Sequence, residues 1–238
     1  MVFVGDSLMN PRCFINLLPE QTYIYQLEMF WRNRFPDAYA RSLILPGYNI
    51  KQINEYFHAS FFPHECGGMI DMSVLQCGII DCAPRVLTPF SYFVVTHLPV
   101  SFQKRIRLFL RKNRPRLQRA GWSFRHTSPE KFEECYRNIL NSLSPQSKRV
   151  YAITIAPGID PLYVHSPGLK DSIIRYNKII RKVASDFKNL ALIDIENKFQ
   201  ENPDNYLTND LHITRNAHDY IFKRIHDIEL AAIQQDVP

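Results

Sequence analysis

The sequence predicts an α/β domain, with a mostly parallel sheet of about five strands and helices on both faces. Short apolar segments alternate with longer amphipathic ones over all 238 residues. The segment "MSVLQCGII" is nearly continuous in apolar residues, as expected of a strand covered on both faces of a parallel sheet. No repeat or low-complexity linker divides the chain, so residues 1–238 read as a single domain.

Each element follows from local pattern. Val2–Val4 is a short buried strand ending in a Gly5-Asp6-Ser7 turn. A helix can start between Met9 and Leu18, with Pro11 confined to its first turn. Ile24, Leu27, Phe30 and Trp31 have helical spacing. Ala40–Leu45 is a second strand stopped by "PGYN", and "IKQINEYF" is a helix. Met72–Ile80 is the third strand. Phe102 to Lys112 is a basic amphipathic helix with Phe102, Ile106, Phe109 and Leu110 on one side. A capped helix begins near Ser128, with Glu130 and Glu133 in its first turns. "RVYAITIAP" and "LALIDI" are strands on either side of the long amphipathic helix in "LKDSIIRYNKIIRKVASDF". The last helix follows Thr214 as N-cap. The stretch from about residue 85 to 128 is too long for a simple connection and reads as an inserted basic helical lid. The aromatics Tyr92, Phe93, Phe102 and Phe109 are expected to pack in the core or under that lid.

Composition narrows the classes. Apolar residues make up 45% and charged residues 22%, which supports a sizeable core and argues against disorder. No secretory pattern opens the chain, and no stretch approaches the ~20 apolar residues that span a bilayer. The expectation is a cytoplasmic protein, with peripheral attachment at the inner membrane face left open. Cys13, Cys66, Cys77, Cys82 and Cys135 are odd in number and irregular in spacing, so they read as free thiols. His64–Cys66 is a lone cluster, and neither a metal nor a diffusible cofactor is expected. The net charge is +6, yet from Cys82 to Pro129 there is no Asp or Glu. That interval carries ten Lys or Arg residues, among them Arg85, Lys104, Arg111, Arg114 and Arg125. Such a block is either a solvated helix face or a surface for an anionic glycan or membrane, through Lys104–Arg125. Nucleic acid is disfavoured, because no aromatic-basic RNA motif or helix-turn-helix pattern is present.

Ligands collect at the carboxyl ends of strands in an open α/β sheet. Four loops expected there carry chemistry: "GDS", "PGYN" (Pro46–Asn49), "GIIDCAPR" (Gly78–Arg85) and "NDLH" (Asn209–His212). Together they supply an acyl-transfer site. Ser7 would be the nucleophile at a strand-to-helix turn, His212 the general base, and Asp210 the acid that orients it. The N–H groups of Ser7 and Gly47 would form an oxyanion hole. Each residue also has a plainer reading: Ser7 and Asp210 as helix caps, Gly47 as a turn glycine. Asp6, Asp81 and Arg85 are placed with substrate binding, with Asp81 and Arg85 alternatively holding their loop as a pair. His218 and His226 read as structural or solvent-facing.

In these four blocks the chain resembles the SGNH (GDSL) hydrolase superfamily. Gly5-Asp6-Ser7 is similar to that family's first block, Gly47 to its second, Gly78 and Asp81 to the outer positions of its third, and His212 to its last. The resemblance runs over nearly the whole chain and implies a three-layer α/β/α, flavodoxin-like fold and a serine ester hydrolase. Two departures stand out. Ile80 occupies the place of the third-block asparagine, an oxyanion donor whose loss costs about 100- to 1000-fold in rate; Asn49 is the candidate replacement. The family's acid usually lies three residues before the histidine, where this chain has Asn209. Asp210 is taken as the acid because an Asp-x-His spacing resembles alginate-acetyltransferase-like relatives, with Asn209 the alternative. "LQCGIIDCAPR" also resembles a subgroup from bacterial polysaccharide biosynthesis, which implies an acylated carbohydrate or lipid-linked glycan as substrate, the acyl group being acetyl. The expected activity is removal of that group through an acyl-enzyme. An O-acyltransferase with the same triad, or a catalytically weakened glycan- or membrane-binding protein, are the alternatives.

Overall fold

The computed structural model describes residues 1–12, 16–208 and 211–235. Five parallel strands form one sheet in the order β2-β1-β3-β4-β5. They are β1 (Val2–Gly5), β2 (Arg41–Ile44), β3 (Ile70–Gln76), β4 (Ser147–Ile153) and β5 (Leu190–Ile193). The helices are α1 (Tyr23–Arg34), α2 (Ile50–Tyr56), α3 (Phe62–Glu65), α4 (Ile79–Cys82), α5 (Pro89–Thr96), α6 (Val100–Arg119), α7 (Pro129–Gln146), α8 (Asp160–His165), α9 (Leu169–Ala184), α10 (Glu196–Glu201), α11 (Pro203–Tyr206) and α12 (Arg215–Gln235). The result is the three-layer α/β/α domain that the strand and helix pattern predicts.

The strand alternation sorts the core into two halves. Val2, Val4, Leu75, Val150 and Ala152 pack with α2, α7 and α9 on one face. Phe3, Met72, Val74, Tyr151 and Ile153 pack with α1 and α12 on the other. Successive side chains of a strand point to opposite faces, so each central strand supplies both cores. The chain goes from β1 to β2 on one side, then returns past β1 to β3 and continues outwards. A right-handed crossover changes face when the direction of travel reverses. That accounts for α1 lying opposite α2, α7 and α9. The reversal leaves a crevice between the carboxyl ends of β1 and β3, where ligands bind in doubly wound folds.

The first connection differs from expectation. A 3-10 turn, Ser7–Met9, follows β1, and Arg12 and Leu17 then form an isolated antiparallel bridge. No helix occupies Met9–Leu18 among the described residues. The buried turn is pinned by Met9 and Leu8, which enter the two cores, and Pro11 follows too soon for a helix to extend.

The 85–128 stretch contains α5 and α6 within the β3-to-β4 crossover. The basic helix is longer than predicted, Val100–Arg119 instead of Phe102–Lys112, and Pro115 lies within it. The aromatics here are corrected: Tyr92, Phe93, Phe102 and Phe109 are each more than half exposed. Helix α5 packs on α6, and α6 on α8; Phe93 meets the ring of His97, and Tyr92 lines a cleft. No helix among the described residues is long and apolar enough to cross a membrane.

Candidate active site

The Gly5-Asp6-Ser7 turn is built by close approach. A Cβ on Gly5 would lie 2.2 Å from Met9 Sδ and 2.3 Å from the Gln76 carbonyl oxygen. Only glycine fits there, and it lets the Asp6 N–H donate to Gln76 O across to β3 at 3.1 Å. Asp6 then caps the 3-10 turn, its Oδ1 accepting from Leu8 N–H at 2.9 Å. Its carboxyl also faces the N–H groups of Gly78 and Ile79. Burial pushes Asp6 up to about 6 against these hydrogen bonds. Ser7 is 8% exposed, and its carbonyl accepts from Arg12 Nη2 at 3.3 Å. The Ser7 hydroxyl makes no hydrogen bond among the described residues.

The second loop leaves β2 at Leu45, whose N–H donates to Gly5 O at 2.9 Å. Gly47 has φ +81° and open space where a Cβ would be. Its glycine answers backbone conformation rather than crowding. Asn49 caps α2: its Oδ1 accepts from Gln52 N–H at 3.0 Å, and Gln52 Oε1 accepts from Asn49 N–H at 3.1 Å. With its oxygen so held, the Asn49 amide N–H2 is the end left to donate.

Asp81 joins this loop to the third block. Both its oxygens accept from Ile50 N–H at 3.0 Å, and Thr127 Oγ1 donates to it. Burial pushes Asp81 up to about 7, with Asp6 adding to the rise. Asp6 and Asp81 are both 0% exposed. That corrects their placement with substrate binding: their oxygens face the backbone and Thr127, so they brace the loops around Ser7. The alternative pairing of Asp81 with Arg85 is absent among the described ion pairs. Gly78, at φ +125°, would bring a Cβ within 2.7 Å of Ile155 Cδ1, so it too needs glycine.

His212 lies in a hairpin before α12. Leu207 and Ile213 form an antiparallel bridge, and Thr208 donates from N–H and Oγ1 to His212 O at 3.0 and 2.9 Å. Leu211 packs against the core that holds Leu8, and Ile213 belongs to the one that holds Met9. Asp210 and its alternative Asn209 lie outside the described residues. His218 is fully buried, stacks on Tyr23 and accepts the Tyr23 N–H at 3.3 Å; burial lowers it to about 3. Tyr23 Oη in turn donates to Gln76 Oε1 at 2.7 Å, linking α12 through α1 to β3. That buried link was not legible in the sequence, because its members are some 195 residues apart.

A cleft of 880 Å³ opens beside the Gly47–Asn49 loop and Ile80, and Ser7 and His212 are not among the residues that line it. Gly47, Asn49 and Ile80 line one part, and Arg85, Tyr92, Arg111, Arg114 and His126 line another. Arg85 was singled out in the sequence, whereas His126 was not. The acid-free interval was the signal for this wall, but it did not say which cations turn inward. No grouping of three or more His, Cys, Asp or Glu able to hold a metal occurs among the described residues.

No family model matches the chain. No curated protein matches it either. Solved structures do. A lipase/acylhydrolase from Enterococcus faecalis aligns over 94% of this chain and 91% of its own, at TM-score 0.62 and 13% identity. The acetylxylan esterase Axe2 from Geobacillus stearothermophilus aligns over 93% and 90%, at TM-score 0.56 and 14% identity. LAE5, an α/β hydrolase from the metagenome of Lake Arreo, gives 93% and 90%, TM-score 0.56 and 16% identity. The fold is that of the SGNH-type hydrolases. At these identities the likeness is one of architecture, and it agrees with the fold class read from the sequence.

Proposed function

We propose that this chain is a serine esterase of the SGNH type that removes an acyl group, acetyl in the first instance, from a carbohydrate ester. The observation that carries the reading is the Gly5-Asp6-Ser7 turn at the carboxyl end of β1, hydrogen-bonded to β3 through Gln76 and to the end of β2 through Leu45, with a cleft lined by Gly47, Asn49 and Ile80 among the neighbouring loops. The carbohydrate draws support from the acetylxylan esterase among the structural neighbours. Catalytic mutants of that esterase replace a serine or a histidine with alanine, the two residue types assigned here.

Ser7 Oγ attacks the ester carbonyl while His212 takes its proton. The N–H groups of Ser7 and Gly47 and the Asn49 amide donate to the resulting oxyanion. Collapse of the tetrahedral species expels the alcohol, which takes the proton from His212, and leaves acyl-Ser7. Water, deprotonated by His212, then releases the carboxylic acid and restores Ser7. Asp210 completes the triad as the group that orients His212. A second reading, a binding protein with little turnover, is favoured by Ile80 in the cleft wall where the family's asparagine donor would be.

Fluorophosphonate labelling with mass mapping, run beside hydrolysis of 4-nitrophenyl acetate, separates the two. The esterase reading expects a single adduct on Ser7 and a fall of at least about 1000-fold in turnover for Ser7→Ala. Absence of both the adduct and any Ser7-dependent turnover would favour the binding reading.

A further inference from the structure

We infer that the cleft contains an anion-binding subsite, formed by Arg85, Arg111 and Arg114 with His126, which takes a carboxylate or phosphoryl group carried by the substrate. The inference deepens the esterase reading and rests on it for the position of the ester near Ser7.

Three guanidinium groups line one wall of the cleft, and none of them has an ion-pair partner among the described residues. The sole acid in the lining is Glu55, which has Lys51 at 3.8 Å. Arg85 and Arg114 each bury an Nε–H with no hydrogen-bond partner. A buried donor without a partner costs free energy, more so on a charged group. The backbone of Arg85 and the side chain of Arg114 are nevertheless held in place. Arg85 exchanges backbone hydrogen bonds with Phe124 at 2.7 and 2.8 Å. Arg114 Nη2 donates to Pro84 O at 2.7 Å and Ser166 Oγ at 3.0 Å, both neutral acceptors. The Arg85 backbone and the Arg114 side chain are therefore fixed, while no ion pair among the described residues compensates either charge. Burial lowers Arg85, and burial with Arg85 nearby lowers Arg114 and His126. An incoming oxyanion relieves this repulsion, and a guanidinium fork suits the paired oxygens of a carboxylate or phosphoryl group. The cleft runs continuously from these cations to Gly47 and Asn49. One substrate can then present its ester to Ser7 and its anionic group to the arginines, as an acylated uronate or an acylated sugar phosphate would.

The test uses calorimetry on full-length Ser7→Ala protein, so that it needs no turnover. D-glucuronate, inorganic phosphate and, as neutral control, D-glucose are titrated in turn. Saturable binding of glucuronate or phosphate but not glucose is expected, weakened about tenfold or more in Arg85→Gln or in the exposed Arg111→Gln. Preference for glucuronate would assign the subsite to a carboxylate, and preference for phosphate to a phosphoryl group. Failure of both anions to bind, or binding unaltered in both arginine variants, would overturn the subsite. Anion binding together with no Ser7-dependent hydrolysis would leave the subsite standing and sink the esterase reading alone.

Discussion

Asn49 accepts the Gln52 N–H with its side-chain oxygen, and this sets which end of the amide can serve a reaction in the cleft. Asn49→Asp keeps the cap oxygen and removes the amide donors. A fall of about 100-fold or more in kcat on a small aryl ester is expected, with denaturation midpoint little changed. Wild-type turnover by Asn49→Asp would exclude it as the replacement for the donor that Ile80 cannot supply. Gly47 and Ser7 were legible as candidates because the turn needs special backbone and small residues in a tight, ordered pattern. A loop-holding role for Asp81 was legible, though with Arg85 as its partner; the bracing role of Asp6 was not, because an acid beside a candidate nucleophile looks the same in sequence whether it faces the cleft or the backbone behind it.

At the scale of elements, α12 is fastened to the sheet by one buried acid. Glu229 is 0% exposed, takes Arg149 Nε and Nη2 at 2.6–2.9 Å, and accepts from Tyr151 Oη at 2.7 Å. Loss of one partner leaves the remaining buried donors unmatched. Glu229→Ala is accordingly expected to lower unfolding free energy by about 3–5 kcal/mol in urea titration. A loss under about 1 kcal/mol would show that the pair carries little of the helix docking. The strands and the capped helices were readable, since short apolar runs and the Ser128 and Thr214 caps are local signals. The helix start expected between Met9 and Leu18 gives way to a 3-10 turn at Ser7–Met9, whose Leu8 and Met9 enter the two cores.

Over the whole molecule, the two buried acids tie stability to pH. Asp6 and Asp81 hold their protons up to about 6 and about 7 when folded, against 3.8 as the ordinary value. Between those limits the folded chain binds more protons than the unfolded one, so stability falls as pH rises through the window. Asp81→Asn removes its share. The stability difference between wild type and Asp81→Asn is expected to shift against wild type from about pH 4.5 to about pH 7, by up to about 1.4 kcal/mol per pH unit. A pH-independent difference would mean that Asp81 is ionised throughout, held by the Ile50 and Thr127 donors.

Local rules operate over a few residues, so the sequence alone determined the strand and helix content, the parallel sheet, the four loops that carry chemistry and the one-sided charge of residues 82–129. The order β2-β1-β3-β4-β5 and the face on which each helix lies are long-range outcomes. So are the placement of Arg85, Tyr92, Arg111, Arg114 and His126 along the cleft and the exposure of Phe93, Phe102 and Phe109. Only tertiary structure decided these, because a side chain's exposure depends on which distant segment packs against it, and that packing is set by the whole core at once.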